Sequence, residues 1–195
     1  FSSRRRHTRY ADRSRGLGDV YKRQGLYREL PLFEVAPGLR IAVLNILGDT
    51  ELVQACAHSL AKKLSTRGYD VLVTAEAKSI PLAYALSLAA QKPYAVLRKH
   101  YRTYMGETIQ AETVSITTGR PQRLYLDEKD HKTIMNQKVV LLDDVISTGS
   151  TLDGMRQVMG KASADVVAEA AVLTEGDQQK WQHIVSLGHL PLFTD

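Results

Sequence analysis

The segment Val139-Val-Leu-Leu-Asp-Asp-Val-Ile-Ser-Thr-Gly-Ser-Thr-Leu152 constrains the fold of this 195-residue chain more than any other. Four consecutive apolar residues, Val139 to Leu142, read as a strand buried on both faces, as at the centre of a parallel sheet. Asp143 and Asp144 follow at its carboxyl end, the edge at which open α/β sheets bind ligands. Ser147, Thr148, Gly149, Ser150 and Thr151 then make a short polar loop leading into a helix expected from about Thr151 to Lys161. Backbone N–H groups and the positive end of that helix converge on one point, which suits a phosphate monoester. The acids beside it are placed to accept hydrogen bonds from vicinal sugar hydroxyls, so the segment describes a pocket for a ribose 5-phosphate.

Elsewhere the chain alternates strand and helix signals. Leu30 to Asp49 is a Pro/Gly turn with an apolar, strand-like run, and Asp49 or Thr50 can cap a helix carrying Leu52, Val53, Cys56, Leu60 and Leu64 on one face. Tyr69–Thr74 and Tyr94–Leu97 read as strands around a helix from Ile80 to Gln91, with Pro81 in its first turn. Alternation at Glu112–Thr117 and Arg123–Asp127 about a Thr118-Gly-Arg-Pro turn predicts a hairpin, a capped turn is expected near Asp130, and Val166–Leu173 adds a last strand. The expected fold class is therefore α/β, a parallel doubly wound sheet.

The net charge of +5 is unevenly spread. Phe1 to Gln24 hold eight basic residues against two acids, a net of +6, which leaves −1 for Gly25 to Asp195. The body therefore has no basic face to suggest nucleic acid as a partner. Ser2-Ser-Arg-Arg-Arg-His-Thr-Arg9 and Asp19-Val-Tyr-Lys-Arg-Gln24 resemble the conceptual translation of a sequencing-library adapter. On that resemblance residues 1–24 are expected to be a non-native or disordered basic tail, with one domain over 25–195. No stretch reaches the roughly 20 apolar residues of a membrane span. The lone Cys56 excludes an internal disulfide, is expected as a small buried side chain, and makes a reducing, cytoplasmic setting the default. The six His show no ligand spacing, which argues against a protein-built zinc site.

The order of apolar strand, two acids, apolar pair and Ser-Thr-Gly-Ser-Thr resembles the phosphoribosyl pyrophosphate (PRPP) signature of the type I phosphoribosyltransferases, and the chain is identified as similar to their purine branch. The resemblance implies that fold, with a small N-terminal hood and a flexible β-hairpin loop spanning Tyr101 to Asp127. It implies Asp143 and Asp144 at the ribose as catalytic residues, organising positive charge that develops on the sugar, and Ser147 to Thr151 at the 5-phosphate. Glu76-Ala77-Lys78-Ser79 is similar to the pyrophosphate loop of purine members, although many have Gly where Ser79 stands. Arg98-Lys99 resembles the Arg-Lys pair of adenine enzymes, which implies both cations at the pyrophosphate and a catalytic role for Lys99 as well.

Ala111-Glu-Thr-Val-Ser115 resembles adenine enzymes too, but the acid-bearing element that follows in them is absent, leaving the residue that handles the purine proton unassigned, with Glu107 and Glu112 as candidates. Pro37-Gly-Leu-Arg-Ile41 is similar to the Pro-Gly turn of adenine enzymes, whereas Leu39 to Asn45 resembles the hood of xanthine enzymes. Leu44 and Asn45 are accordingly the candidate base contacts, and the acceptor stays open between adenine and a 6-oxopurine. The family likeness implies transfer of a 5-phosphoribosyl group from PRPP to a purine, with Mg²⁺ held mainly by PRPP's oxygens and no direct protein ligand, in a homodimer. The alternative is a non-catalytic PRPP-sensing regulator of the purine-repressor type. Such regulators carry a winged DNA-binding domain, for which Gly25 to Asp49 is too short.

Overall fold

The computed structural model describes residues 19–23, 26–114 and 121–194. Its strands are β1 (Asp19–Arg23), β2 (Leu26–Leu30), β3 (Leu32–Ala36), β4 (Leu39–Ala42), β5 (Val71–Ala75), β6 (Tyr94–Leu97), β7 (Ile109–Val114), β8 (Pro121–Leu126), β9 (Lys138–Ile146), β10 (Asp165–Glu175), β11 (Val185–Leu190) and β12 (Phe193–Thr194). The helices are α1 (Thr50–Leu64), α2 (Ile80–Ala90), α3 (Glu128–Ile134) and α4 (Ser150–Lys161).

Five strands form the central sheet in the order β11-β10-β9-β5-β6, every pair parallel. The apolar start of β9 lies at its centre because both its faces are covered. Leu52, Cys56, Leu60 and Leu64 of α1 and Leu82 and Leu86 of α2 pack with Leu72, Val140 and Leu142 on one side. Leu152, Met155, Val158 and Met159 of α4 pack with Val71, Val73, Val139 and Leu141 on the other. This is the doubly wound α/β arrangement that the alternating pattern predicts. Asp49 caps α1 as expected, its carboxylate accepting from the Leu52 N–H at 3.1 Å. No helix among the described residues is long and apolar enough to cross a membrane.

The small N-terminal sheet has the order β12-β4-β3, so the hood is closed by the chain's C-terminal residues, with Phe193 opposite Arg40. Of the expected tail, residues 1–18 and 24 lie outside the described residues, while Asp19–Arg23 runs antiparallel to β2. Arg28 of β2 fastens this hairpin to the start of α1 through Asp49 and, at 3.0 Å, Glu51.

The expected hairpin is β7-β8, whose ladder starts at Ile109, before the expected Glu112, and residues 115–120 lie outside the described residues. Its stem is anchored: Ala111, Leu124 and Leu126 are buried in the α4-side core, and Arg98 and Tyr125 exchange backbone hydrogen bonds of 2.9 Å. Helix α4 meets the stem at Gly154, where an added Cβ would stand 3.0 Å from Leu124 Cδ1 and 3.1 Å from Thr113 Cγ2. Gly154→Val is therefore expected to lower the melting temperature by roughly 5 °C, from about 1–3 kcal/mol of overpacking. Gly154→Ala should stay within about 2 °C, because the gain of about 1 kcal/mol in helix propensity offsets a smaller clash. Thermal melts of the two variants check this, and equal melting of both would contradict it.

Candidate active site

Strand β9 does not end before its acids, as the apolar pattern suggested. Val145 and Ile146 continue the ladder opposite Leu173 and Thr174 of β10, so Asp143 and Asp144 belong to the strand's last turn of pleat. They still lie at the carboxyl edge of the sheet. Strand β5 runs beside β9 and ends at Ala75, one residue beyond the pairing of Thr74 with Leu142, and the Thr74 hydroxyl donates to the Leu142 carbonyl at 2.8 Å. The loop Glu76–Ser79, whose first peptide bond is cis, thus starts level with the acids.

Two segments 64 residues apart in sequence are joined there. The Ser79 hydroxyl donates to Asp143 Oδ1 at 2.6 Å, and the same oxygen accepts the Asp144 backbone N–H at 2.9 Å. The Ser79 that departs from the relatives' glycine is thus buried and holds an acid in place. Lys78 Nζ lies 3.2 Å from Asp144 Oδ2 and donates to the Leu44 carbonyl at 3.1 Å, so one ammonium spans loop, acid and hood. Asp144 is buried, and its Oδ2 has no hydrogen-bond donor, the contact with Lys78 being an ion pair without hydrogen-bond geometry. Burial and the neighbouring Asp144 charge push the Asp143 carboxyl up to about 7, against the stabilising Ser79 hydroxyl.

Glu76 turns away from this pair. Its carboxylate accepts from Arg98 Nε and from the Lys99 backbone N–H, each at 2.9 Å. Burial alone would raise its pKa, but that N–H and the Arg98 guanidinium hold it below the usual carboxylate range. Glu76 and Arg98 therefore form a clamp between the β5 and β6 loops, with Ala77 and the Lys99 side chain exposed beside it.

The polar loop after β9 leads into α4 one residue earlier than expected, at Ser150, with Gly149 as its N-cap residue. Thr148 Oγ1 lies 3.2 Å from Ser150 Oγ and accepts the Ser150 N–H at 3.4 Å, while Ser147 is exposed and Thr151 half-buried. Gly149 has φ +89°, and an added Cβ would come within 2.7 Å of Trp181 Cη2. Trp181 is buried and donates its Nε1–H to the Glu175 carbonyl at 3.0 Å; the preceding Lys180 donates to the Thr148 carbonyl at 3.0 Å. Sequence reasoning missed both residues. The available signal was that Trp181 is the chain's one tryptophan.

The candidate base contacts separate. Leu44 is only 2 % exposed and belongs to the α1-side core, so its side chain is not available to a base, a correction to the expectation; its carbonyl is the Lys78 acceptor. Asn45 is exposed, its Oδ1 accepting the Leu47 N–H at 3.2 Å. Among the described residues, no three His, Cys, Asp or Glu side chains converge into a group that could hold a metal.

The site can thus offer, at one sheet edge, a loop of amides at a helix start, two adjacent carboxylates and an ammonium beside one of them. Residues 43–185 match the family model for the phosphoribosyl transferase domain. The chain is 33% identical over 133 residues to a hypoxanthine/guanine phosphoribosyltransferase of Methanococcus maripaludis, covering 68% of each chain. It is 30% identical over 143 residues to the purine biosynthesis transcriptional repressor PurR of Bacillus subtilis, which covers 73% of this chain and 49% of the repressor. It therefore spans about half the length of that repressor. In fold it is similar to the adenine phosphoribosyltransferase of Thermoanaerobacter pseudethanolicus, with a TM-score of 0.68 and 20% identity over 82% of this chain and 95% of that one.

Proposed function

This chain belongs to the phosphoribosyl transferase family, and from that membership we propose that it moves the 5-phosphoribosyl group of PRPP onto a ring nitrogen of a purine base. The new bond joins the purine nitrogen to the anomeric carbon as the bond from that carbon to pyrophosphate breaks, and the purine gives up its proton. The observation that carries this reading is the junction of Ser79 with Asp143 and of Lys78 with Asp144, which holds a sugar-binding pair of acids against a pyrophosphate loop.

In this reading the amides and hydroxyls of Ser147 to Thr151 take the 5-phosphate. Asp143 and Asp144 accept hydrogen bonds from the ribose hydroxyls and stabilise positive charge developing on the sugar. Lys78 leaves Asp144 for the departing pyrophosphate, which frees Asp144 for the ribose. The exposed Lys99 ammonium and the Ala77 and Ser79 backbone add to the pyrophosphate subsite, and Glu76 acts there by holding Arg98 and the Lys99 backbone. Asn45, whose amide both donates and accepts, is the candidate contact for the base. Mg²⁺ would be held mainly by PRPP's own oxygens, and when bound it would neutralise pyrophosphate charge.

Lys78→Met is expected to reduce kcat/KM for PRPP about 10- to 100-fold, the loss of one charge-assisted contact, and to lower the melting temperature, because it leaves the buried Asp144 carboxylate without its cationic partner. Steady-state kinetics check this, and unchanged kinetics would remove Lys78 from the site.

The α2 sequence is apolar all round, yet only one side of the helix is buried, leaving Tyr84 55 % and Leu88 62 % exposed. That outer face is proposed to pair two copies in a homodimer. The buried thiol of Cys56 accords with a cytoplasmic setting.

The test is pyrophosphate release from PRPP and Mg²⁺ with adenine, hypoxanthine, guanine, xanthine, orotate and uracil in turn. Purine-dependent release is expected, and release with a pyrimidine alone would overturn the purine assignment. Likeness to the Bacillus repressor favours a second reading, a regulator that binds PRPP without turning it over; PRPP binding with no release for any base would select it.

A further inference from the structure

The segment between β10 and β11 has no part in the reaction proposed above, yet it buttresses the phosphate loop. Trp181 is fixed by its own hydrogen bond to the Glu175 carbonyl and fills the space that Gly149 leaves open. Lys180, although exposed, is held at two points: its Nζ donates to the Thr148 carbonyl at 3.0 Å and lies 4.4 Å above the Trp181 ring. An ammonium seated over an indole is attracted by the negative face of the ring. It carries three N–H donors, one of which is used on Thr148.

Thr148 immediately precedes the N-cap residue of α4, so the direction of its carbonyl determines which way the next amide points. A carbonyl turned into the loop would set a partial negative charge against a phosphate. A carbonyl bound to Lys180 is kept on the far side, with its charge offset by the ammonium. We propose that Lys180 is a positioning residue for the sugar 5-phosphate: seated on Trp181, it fixes the Thr148 peptide so that the loop's amides face the anion, and it adds one positive charge beside them. The inference rests on the reading of Ser147–Thr151 as the 5-phosphate subsite.

Because Trp181 is the chain's one tryptophan, its fluorescence reports directly on the phosphate loop. Ribose 5-phosphate, titrated into the full chain, is the probe, which separates binding at this subsite from turnover. Wild-type protein is expected to show a saturable change in Trp181 emission. Lys180→Met should weaken ribose 5-phosphate about tenfold, a discounted value for a charge contact on an exposed side chain. Lys180→Arg, which keeps the charge and a donor, should recover most of that loss. In turnover assays Lys180→Met should raise KM for PRPP and leave KM for the base and the melting temperature near wild type.

Equal affinity of wild type and Lys180→Met, or equal weakening by Met and Arg, would overturn the role of Lys180 alone. Ribose 5-phosphate binding that depends on Lys180, without nucleotide formation from any base, would overturn the proposed transferase and leave the role of Lys180 standing. No binding by wild-type protein would overturn both.

Discussion

Asp143→Asn is expected to make the protein more stable and far less active at pH 8. The wild-type carboxyl is pushed up to about 7 by burial first and by Asp144 second, so ionising it costs more in the folded chain than in the unfolded one. Stability associated with a raised pKa is fully present below the unfolded value, about 3.8, and is lost as pH rises through the folded value, about 7. Asparagine keeps an oxygen to accept from Ser79 Oγ and the Asp144 N–H and carries no charge to strand. The gain should reach on the order of 2 kcal/mol at pH 8, well under the full shift because Asp143 is only half-buried, or roughly 5 °C in melting temperature. It should shrink between pH 7 and pH 4. The same change removes a charged acceptor for the ribose, and kcat/KM for PRPP should fall roughly 10- to 150-fold. Melting curves from pH 5 to 8 beside PRPP kinetics check both halves. A variant that melts like wild type at pH 8, or that keeps its activity, would show that Asp143 is not a strained acid at the ribose.

Gly149→Ala is expected to cost both binding and stability, for two separable reasons. The backbone there has φ +89°, a region that costs an L-residue roughly 1–2 kcal/mol. The new Cβ would also stand 2.7 Å from Trp181 Cη2, on a ring that is packed and hydrogen-bonded and so cannot swing aside. The loop must shift, and displacing groups by about 1 Å in such a site can cost about 100-fold. PRPP affinity should fall by about that factor and the melting temperature by roughly 5 °C. Titration with PRPP and a thermal melt measure the two effects. Adding Trp181→Phe should recover part of the melting loss, because it relieves the collision but not the φ penalty. Wild-type affinity in Gly149→Ala would mean that the loop does not hold the phosphate.

The central sheet was legible because its interior strands are unbroken apolar runs, Val139–Leu142 above all, and because Asp49 and Pro81 punctuate the helices as their chemistry requires. Local pattern gave no view of β11 and β12. Val185-Ser-Leu-Gly-His-Leu190 is an edge strand with mixed residues, and Phe193–Thr194 is a strand only because it reaches β4 across the whole chain. The acids misled in detail for a similar reason: two charges look like the end of a buried strand, yet β10 continues to pair with it beyond them.

At the site, residue types announced the phosphate loop and the acids, while their couplings were invisible. Ser79 read as a weaker glycine, whereas its hydroxyl secures Asp143. Leu44 read as a base contact beside Asn45, whereas the strand-to-helix passage turns its side chain into the core. Glu76 and Arg98 read as neighbours of pyrophosphate and prove to hold each other. Each of these depends on which side chain lies across from which, and that is set by the sheet rather than by spacing along the chain.

The most direct test is to mix the protein with PRPP, Mg²⁺ and a panel of purines, and to measure nucleoside 5-monophosphate and pyrophosphate in the same reaction. One nucleotide formed per pyrophosphate released, with at least one purine and with the yield sharply reduced in Asp143→Asn, is the expected result. PRPP that binds and survives intact with every purine would contradict the proposed transferase.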